Sequence, residues 1–453
     1  MLTNLQKHAR YKHSYGHNEC FWGLGIEEET YLQFDKPIHV ATPILRTAHK
    51  AERYSVKYFE NYKPNYMDAL NRLYPDVLGC VPVPLFLNSH AFLKCDIAGN
   101  HKTTYEKIPQ PNPKFLGTTI HELLLRHSQK LLNGFDVWYM FDGDTTEFIT
   151  QNFYKARVKD VIQELLLYKQ TFLEEVQKVF ARHKIHIEKG IVVYPPKNPG
   201  IVVHITNPKN VCVFNNGTYH INITLPSWLN DKKELMYPDL FREQHRAFAR
   251  LVQWMEPLLL LGYGTPDFLR KFSNRYSAVS QRAAMSRYIG IGTFDTVTMP
   301  EGKRNTKPLD EMCSWYSSYH EESGYSVLEE IGLDINYKKH HSHGLEFRFF
   351  DWFPEHLLEE VLRILIHLAQ ASLQLPLAPV PSSKQSWIAG VKGILLEGAN
   401  YKPPLDILAA YEKVLHIPLL EFAGKSISIT IQYIWNQLQE RYSKGPLVKM
   451  FFG

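Results

Sequence analysis

The sequence has few cysteines, and none is placed as a disulfide framework or a cysteine zinc site would require. The five cysteines lie far apart, and no two of them form a CxxC pair. The N-terminus lacks the apolar segment of a secretory signal, and the strongest apolar run, residues 258–261, is far shorter than a membrane span. These absences predict a soluble protein of the reducing cytoplasm that does not associate with a membrane.

Two frequent nucleotide-binding motifs are absent as well. The sequence contains no G-x-x-x-x-G-K-[ST] and no G-x-G-x-x-G, so neither a P-loop nor a Rossmann nucleotide site is expected. No G-x-S-x-G elbow indicates a serine nucleophile. The net charge is +5 and the basic residues form no block, so nucleic acid is not an expected partner.

The residues that are present are those of an ordinary globular protein, with 44% hydrophobic and 21% charged side chains. Apolar periodicity predicts long helices over residues 158–179 and 240–261, and three more helical segments beyond Pro354. Alternation predicts strands, several of them antiparallel, at residues 22–34, 137–141, 146–150, 185–194, 199–206, 218–226 and 343–353. This mixture predicts an α+β fold.

We expect one catalytic domain over residues 1–453. The proline-punctuated, aromatic-rich stretch 36–135 is interpreted as an insertion between core strands, and residues 355–453 as a mostly helical C-terminal part.

Charged side chains occur inside several of the predicted strands, where a lone charge is costly unless it is paired or bound to a metal. Glu27 and Glu29 share one face of the first strand, because side chains alternate along a strand. The other members of this set are Glu147, His220, Glu346 and Arg348. Taken singly, each has an ordinary explanation: a solvated strand face, a hydrogen-bonded histidine or a cross-strand ion pair. Together they favour a divalent metal site of the kind that phosphoryl transfer needs.

The combination also resembles a known family. The segments GLGIEEETYL, TEFIT, GTYHINITLP and GLEFRFFDWFP are similar, in the same order, to the metal-binding strands of glutamate-cysteine ligases and of the wider glutamine synthetase-like carboxylate-amine ligase (COOH-NH2 ligase) superfamily. Weaker similarities lie in WMEPLLLLGYGTP and SQRAAMSRYIGIG. The resemblance runs from Gly23 to Pro354 and implies a glutamine synthetase-like fold. In that fold a curved, mainly antiparallel sheet has the active site on its concave face and helices on the outside.

The resemblance implies roles for individual residues. Glu27, His220 and Glu346 would hold the metal on the ATP phosphates, and Glu29 and Glu147 would hold a metal nearer the substrate carboxylate. Arg348 would stabilise the transferring phosphoryl group, and either Arg282 or Arg287 would bind phosphate or a substrate carboxylate. The cofactor-binding set is His220, Asn222, Thr224 and Arg348.

The sequence departs from the family at one ligand position. A further acidic ligand is expected seven residues before Glu147, where this chain has Met140, and the nearest substitutes are Asp142 and Asp144. The resemblance therefore implies two or three Mg²⁺ or Mn²⁺ ions, with the third site open between these two aspartates.

The implied activity is that of an ATP- and Mg²⁺-dependent ligase that forms an amide bond, γ-glutamyl in type, through an acyl phosphate. The donor would be a small-molecule carboxylate, glutamate above all, and the acceptor an amine such as cysteine, another amino acid or a protein amine. Two rival interpretations are a guanidino kinase-like phosphotransferase on a related fold and a non-catalytic binding or structural protein. The insertion 36–135 would shape the acceptor pocket or, alternatively, serve as a surface for partners or for a homo-oligomer.

Overall fold

A computed structural model describes most of the chain outside the predicted insertion and the arginine-rich segment. The described residues are 4–16, 20–35, 39–40, 81–82, 85, 87, 120–142, 145–150, 155–198, 200–202, 213–271, 274, 276–284, 293–295, 303–305, 335–336 and 344–453.

A six-stranded antiparallel sheet forms the centre of the structure. Its strands, in spatial order, are β13 (Ile335–Asn336), β14 (Leu345–Asp351), β10 (Thr218–Trp228), β1 (Cys20–Thr30), β6 (Thr145–Ile149) and β5 (Tyr139–Asp142). The sheet confirms the predicted α+β class and four of the predicted strands at 22–34, 137–141, 146–150 and 218–226, together with the last strand at 343–353.

In the part of the chain that the structure describes, four two-stranded antiparallel ribbons accompany this sheet. They pair β2 (Gln33–Phe34) with β7 (Val192–Val193), β3 (His39–Val40) with β4 (Val81–Pro82), β8 (Gly200–Val202) with β9 (Val213–Asn215), and β11 (Thr293–Asp295) with β12 (Lys303–Asn305).

Eleven α-helices occur among the described residues. They are α1 (Asn4–Tyr15), α2 (Ile120–His127), α3 (Gln129–Gly134), α4 (Val158–Arg182), α5 (Ile185–Lys189), α6 (Pro238–Tyr263), α7 (Leu358–Ser372), α8 (Gln385–Glu397), α9 (Leu405–Leu415), α10 (Ile427–Tyr442) and α11 (Pro446–Phe452). None of them is both long enough and apolar enough to cross a bilayer.

The two long helices α4 and α6 pack against one face of the sheet. The buried stripe of α4 includes Val161, Leu165 and Phe172, which recur at helical spacing, and the Phe172 ring meets Phe148 of β6. On α6, the Phe248 ring packs against Phe347 of β14. Helix α7 lies against both α4 and α6 and also contacts α10 and α11, so the C-terminal helices extend the layer behind the sheet. The opposite face carries polar side chains of β1, β10 and β14.

Two predictions of local structure need correction. Residues 185–194 form a short helix, α5, and only then the strand β7, because the alternating Ile185 and Ile187 have no sheet to bury them and Ile187 is largely exposed. Beyond Pro354 the sequence predicts three helical segments, and the structure has a further helix, α8, between α7 and α9. Two glycines, Gly390 and Gly393, weaken its helical propensity, and tertiary packing overrides that weakness.

Most of the predicted insertion 36–135 lies outside the described residues. Its described end forms α2 and α3, which pack on α4. Leu85 and Leu87 are buried, and their backbones bond to Leu32 and His121. These parts of the insertion are therefore anchored in the core.

Candidate metal centre

Strand register brings three of the predicted ligands together. Glu27 of β1 stands opposite His220 of β10. On the other side of β10, Glu346 of β14 stands opposite Asn222, which lies two residues from His220 and so on the same face. All three side chains point away from α4 and α6, and the three strands together form the floor of the candidate site.

The three side chains are close enough to share one ion. His220 Nδ1 is 3.2 Å from Glu27 Oε2 and 3.5 Å from Glu346 Oε1. One ligand atom from each residue lies within 4.8 Å of the other two. The structure thus brings together Glu27, His220 and Glu346, the three residues predicted to share one ion.

The remaining two predicted carboxylates meet on the other side of the histidine. Glu29 lies directly opposite Glu147 across the β1–β6 pair. His220 Nε2 is 3.4 Å from Glu29 Oε1, so the two ring nitrogens face two different acidic groups. The imidazole thus stands between the Glu27 and Glu346 group and the Glu29 and Glu147 group.

The donor set fits hard divalent cations such as Mg²⁺ or Mn²⁺. All five side chains are at most 8% exposed, and four of them are carboxylates. Directly opposed like charges destabilise a strand pair, and buried carboxylates are costly without compensation. Oxygen ligands with an accompanying imidazole suit Mg²⁺ and Mn²⁺, whereas zinc and copper sites favour more nitrogen and sulfur.

Two arginines border the acidic group. Arg348 Nη1 is 3.0 Å from Glu346 Oε1. Arg282 Nη2 is 3.5 Å from His220 Nε2, and its Nε donates a hydrogen bond to the Arg348 backbone oxygen at 2.5 Å. Of the two predicted alternatives, the structure brings Arg282 to the site, and Arg287 lies outside the described residues.

Asp351 holds the Arg282 segment in place, a role that the sequence analysis did not predict. Its Oδ1 accepts a hydrogen bond from the Arg282 backbone N–H at 3.1 Å. Burial raises the pKa of this carboxyl to about 6, although hydrogen bonds from Ser280 and Arg282 oppose the rise. Asp351 could have been suspected from the sequence, because it lies three residues after Arg348 at the end of the same strand.

An irregularity in the β10–β14 pairing lies beside the site. The register shifts between Tyr219, which pairs with Phe350, and Ile221, which pairs with Phe347. The extra residue in β14 leaves Arg348 and Phe349 across from His220. Bulges of this kind re-aim side chains next to functional sites, and here Glu346, Arg348 and Asp351 all remain near the same face.

The other predicted site residues lie around these groups. Asn222 and Thr224 are buried on the site face of β10. Met140 stands opposite Glu147, at the position where the resemblance to the ligases implies a further acid. Asp142 is on the same face of β5, opposite Thr145, but its side chain and all of Asp144 are outside the described residues.

Sequence reasoning also missed Glu28, whose side chain points to the helix-covered face. Burial raises the pKa of its carboxyl, and the ammonium of Lys169 opposes that rise. Its position opposite Tyr219 and Phe148 on an otherwise apolar face was the available signal.

The chain has a relative in a giant virus. It is 35% identical over 444 residues to uncharacterized protein R704 of Acanthamoeba polyphaga mimivirus, and the match covers 96% of this chain and 78% of the viral protein. The chain belongs to the family of that mimivirus protein. No protein-family model matches it. Because the similarity to the mimivirus family spans nearly the whole chain, it takes in the sheet as well as most of the C-terminal helices.

Proposed function

We propose that the protein is an ATP- and Mg²⁺-dependent carboxylate-amine ligase with a glutamine synthetase-like catalytic fold. The observation that supports it most is the convergence of Glu27, His220 and Glu346 within 4.8 Å, on a sheet face that also carries a second acidic pair. Two arginines beside these acids provide the positive charge that a transferring phosphoryl group requires. The order of the sequence motifs supports the same assignment.

The reaction has two steps. An oxygen of the donor carboxylate attacks the γ-phosphorus of ATP, the bond to the β-γ bridging oxygen breaks, and ADP leaves. The nitrogen of the amine then attacks the acyl carbon, loses a proton, and phosphate leaves with the bonding electrons. A free carboxylate is a poor electrophile because its charge repels nucleophiles, and phosphorylation turns one oxygen into a leaving group.

Each part of the site has a task in this scheme. Bound divalent ions would neutralise phosphate oxygens, with Glu27, His220 and Glu346 holding one and Glu29 and Glu147 another. Arg348 would bind the phosphoryl group as it moves, since its planar fork matches the geometry of phosphate oxygens. Arg282 would bind phosphate or the donor carboxylate, held in place by Asp351.

Glutamate is the proposed donor, as in the glutamate-cysteine ligases that the motifs resemble. The proposed acceptor is an amine: cysteine, another amino acid or a protein amine. A guanidino kinase-like phosphotransferase would use the same ions and ATP, but it would place the phosphoryl group on a guanidinium nitrogen. The reaction product therefore separates the two.

The test is an ADP-release assay on the full chain with Mg²⁺, glutamate and a panel of amines, followed by hydroxylamine trapping of acyl phosphate. We expect donor-dependent hydroxamate formation with the wild type and none with Glu27→Gln, which keeps the side-chain volume but loses a charged ligand. A matched control, Glu359→Gln on the exposed Arg363 ion pair, should behave as wild type. Turnover that persists after removal of divalent metals, or formation of a phosphoguanidine, would refute the assignment.

A further inference from the structure

A second group of buried charges lies directly beneath the candidate metal centre, on the helix-covered face of the sheet. Glu28, completely buried, points there from between Glu27 and Glu29. Its Oε1 accepts a hydrogen bond from Lys169 Nζ of α4 at 2.6 Å and another from Trp352 Nε1 at 3.0 Å. The Lys169 ammonium also pairs with Glu355 and lies over the Tyr194 ring. We call Glu28, Lys169 and Trp352 the under-sheet cluster.

The cluster joins elements that the sheet itself does not join directly. Trp352 is the residue after β14, the strand that carries Glu346 and Arg348. β1 and β14 are not neighbours, since β10 lies between them. The hydrogen bond from Trp352 to Glu28 is therefore a direct link between the two strands that bear Glu27 and Glu346.

Such a link matters because the intervening ladder is irregular. The β10–β14 register shifts next to His220, so backbone pairing alone fixes β14 less firmly against β1 at this level. Ligands of Mg²⁺ must lie about 2.0–2.1 Å from the ion in a nearly octahedral arrangement, so sub-ångström displacements of one carboxylate weaken binding. A contact that holds both strands from below would keep the ligand carboxylates at the required separation.

Stability alone is a weak explanation for the cluster. Removing two charges from water is costly, and replacing a buried ion pair with apolar residues of similar size is often neutral or stabilising. In this chain one ammonium serves two carboxylates beneath a strand whose neighbouring residues are ligands. A role in fixing the geometry of the ligand-bearing strands explains why the chain carries a buried ion pair that is costly to desolvate.

We propose that Glu28, together with Lys169 and Trp352, is a positioning residue that sets the separation between Glu27 and Glu346 and so tunes the affinity of the centre for divalent cations. The proposal rests on the proposed metal centre and goes beyond the ligand residues themselves. Glu28 does not touch the ion, because its carboxylate lies on the opposite face of the sheet.

The test measures binding of Mn²⁺ alone to the full chain, by the loss of the free-ion electron paramagnetic resonance signal. The main variant is the double substitution Glu28→Leu with Lys169→Met, which removes both charges and keeps similar volumes. We expect it to unfold at a urea midpoint close to that of the wild type and to bind Mn²⁺ about tenfold more weakly. Wild-type affinity in the folded double variant would overturn the proposal.

Two single variants complete the test: one keeps the proposal testable if the double variant does not fold, and the other is a control. Trp352→Phe removes the indole donor with part of the ring volume and should also weaken Mn²⁺ binding severalfold; unchanged affinity there would equally overturn the proposal. Tyr11→Phe is the matched control, because Tyr11 donates a buried hydrogen bond to the Trp22 backbone oxygen at the start of β1. It should lower the urea midpoint and leave Mn²⁺ affinity unchanged.

The same experiment separates this proposal from the proposed function. A wild-type chain that binds no Mn²⁺ and forms no acyl phosphate would refute both. A wild-type chain that does both, with variants that bind equally well, would refute the positioning role alone.

Discussion

Glu29 of β1 and Glu147 of β6 stand directly opposite each other, and both carboxylates are more than nine-tenths buried. Side chains in such a pair are separated by about 4.5–5.5 Å at their β-carbons, where like charges repel. Repulsion between the two carboxylates therefore costs free energy in the metal-free protein, and a cation bound to both would reverse the sign of that contribution.

This reversal gives a prediction for Glu147→Gln. Without metal, the variant should be more stable than the wild type by up to about 1 kcal/mol, because one of the opposed charges is gone. At saturating Mg²⁺ or Mn²⁺ the wild type should gain roughly 2–3 kcal/mol, as expected for an ion at about 100 times its dissociation constant, and the variant clearly less. Urea unfolding in chelator and in metal measures both numbers, and an equal metal-dependent gain in the two proteins would contradict the role of Glu147.

A second prediction concerns the transferring phosphoryl group. Arg348→Lys should lower kcat more than it raises the KM for ATP, because lysine keeps the charge but loses the planar fork that matters most in the transition state. Arg363→Lys, on an exposed helix pair with Glu359, is the control and should leave both constants unchanged. A raised KM with normal kcat would instead make Arg348 a residue for ground-state binding.

The buried carboxyl of Asp351 predicts how stability depends on pH. Its pKa is raised from 3.8 to about 6, so the native state binds this proton more tightly than the unfolded chain. The stabilising contribution of the protonated group is complete below pH 4 and is lost as the pH rises to about 6. Relative to Asp351→Asn, which can still accept the Arg282 N–H bond, the wild type should lose roughly 2–3 kcal/mol of unfolding free energy between pH 4 and pH 7.

Urea unfolding of both proteins at the two pH values measures this difference. Because the other titrating groups are common to wild type and variant, the comparison isolates Asp351. A difference that does not change with pH, or that changes in the opposite direction, would contradict the assigned burial.

Gly217 precedes β10 at the edge of the site, and its replacement has a predictable cost. Its φ is +70°, and a Cβ there would lie 2.1 Å from Asn198 Nδ2 and 2.5 Å from the Glu29 backbone oxygen. Gly424→Ala is the matched control, since φ is +77° and nothing lies within 4 Å. Both variants should lose about 1 kcal/mol or more to backbone strain, and Gly217→Ala at least roughly 1–2 kcal/mol in addition from overpacking. Equal losses of unfolding free energy in the two variants would show that the Asn198 side chain moves aside at no cost.

The sequence predicts the central strands well because their signal is local. The two-residue period of β1 places Glu27 and Glu29 on one face without any knowledge of partners, and the long apolar stripes of α4 and α6 are similarly self-contained. In a segment of five residues, the spacing of Ile185 and Ile187 fits a strand and a helical turn equally well. The local sequence pattern therefore could not predict α5. In α8, Gly393 lowers helical propensity but is needed for close packing, since a Cβ there would lie 2.1 Å from the Tyr401 ring.

The parts of the site that the sequence did not predict depend on contacts between distant residues. Lys169 lies 141 residues from Glu28, and nothing in the alternation of β1 indicates that a lysine from α4 will meet it. The separation between Asp351 and Arg282 is 69 residues. Pairing of this kind follows from how the helices dock on the sheet, which periodicity does not specify.

The run of three glutamates in β1 also bears on how the chain reaches its native pairing. Sliding β1 by one position against β10 would turn Glu27 and Glu29 toward the helices and Glu28 toward the opposite side. Two carboxylates would then compete beneath the sheet for the single ammonium of Lys169, and the centre above would keep one carboxylate from this strand in place of two. A shifted register would therefore raise the free energy of the mispaired chain on both faces of the sheet at once. The three consecutive glutamates thus favour the native alignment of β1 during folding.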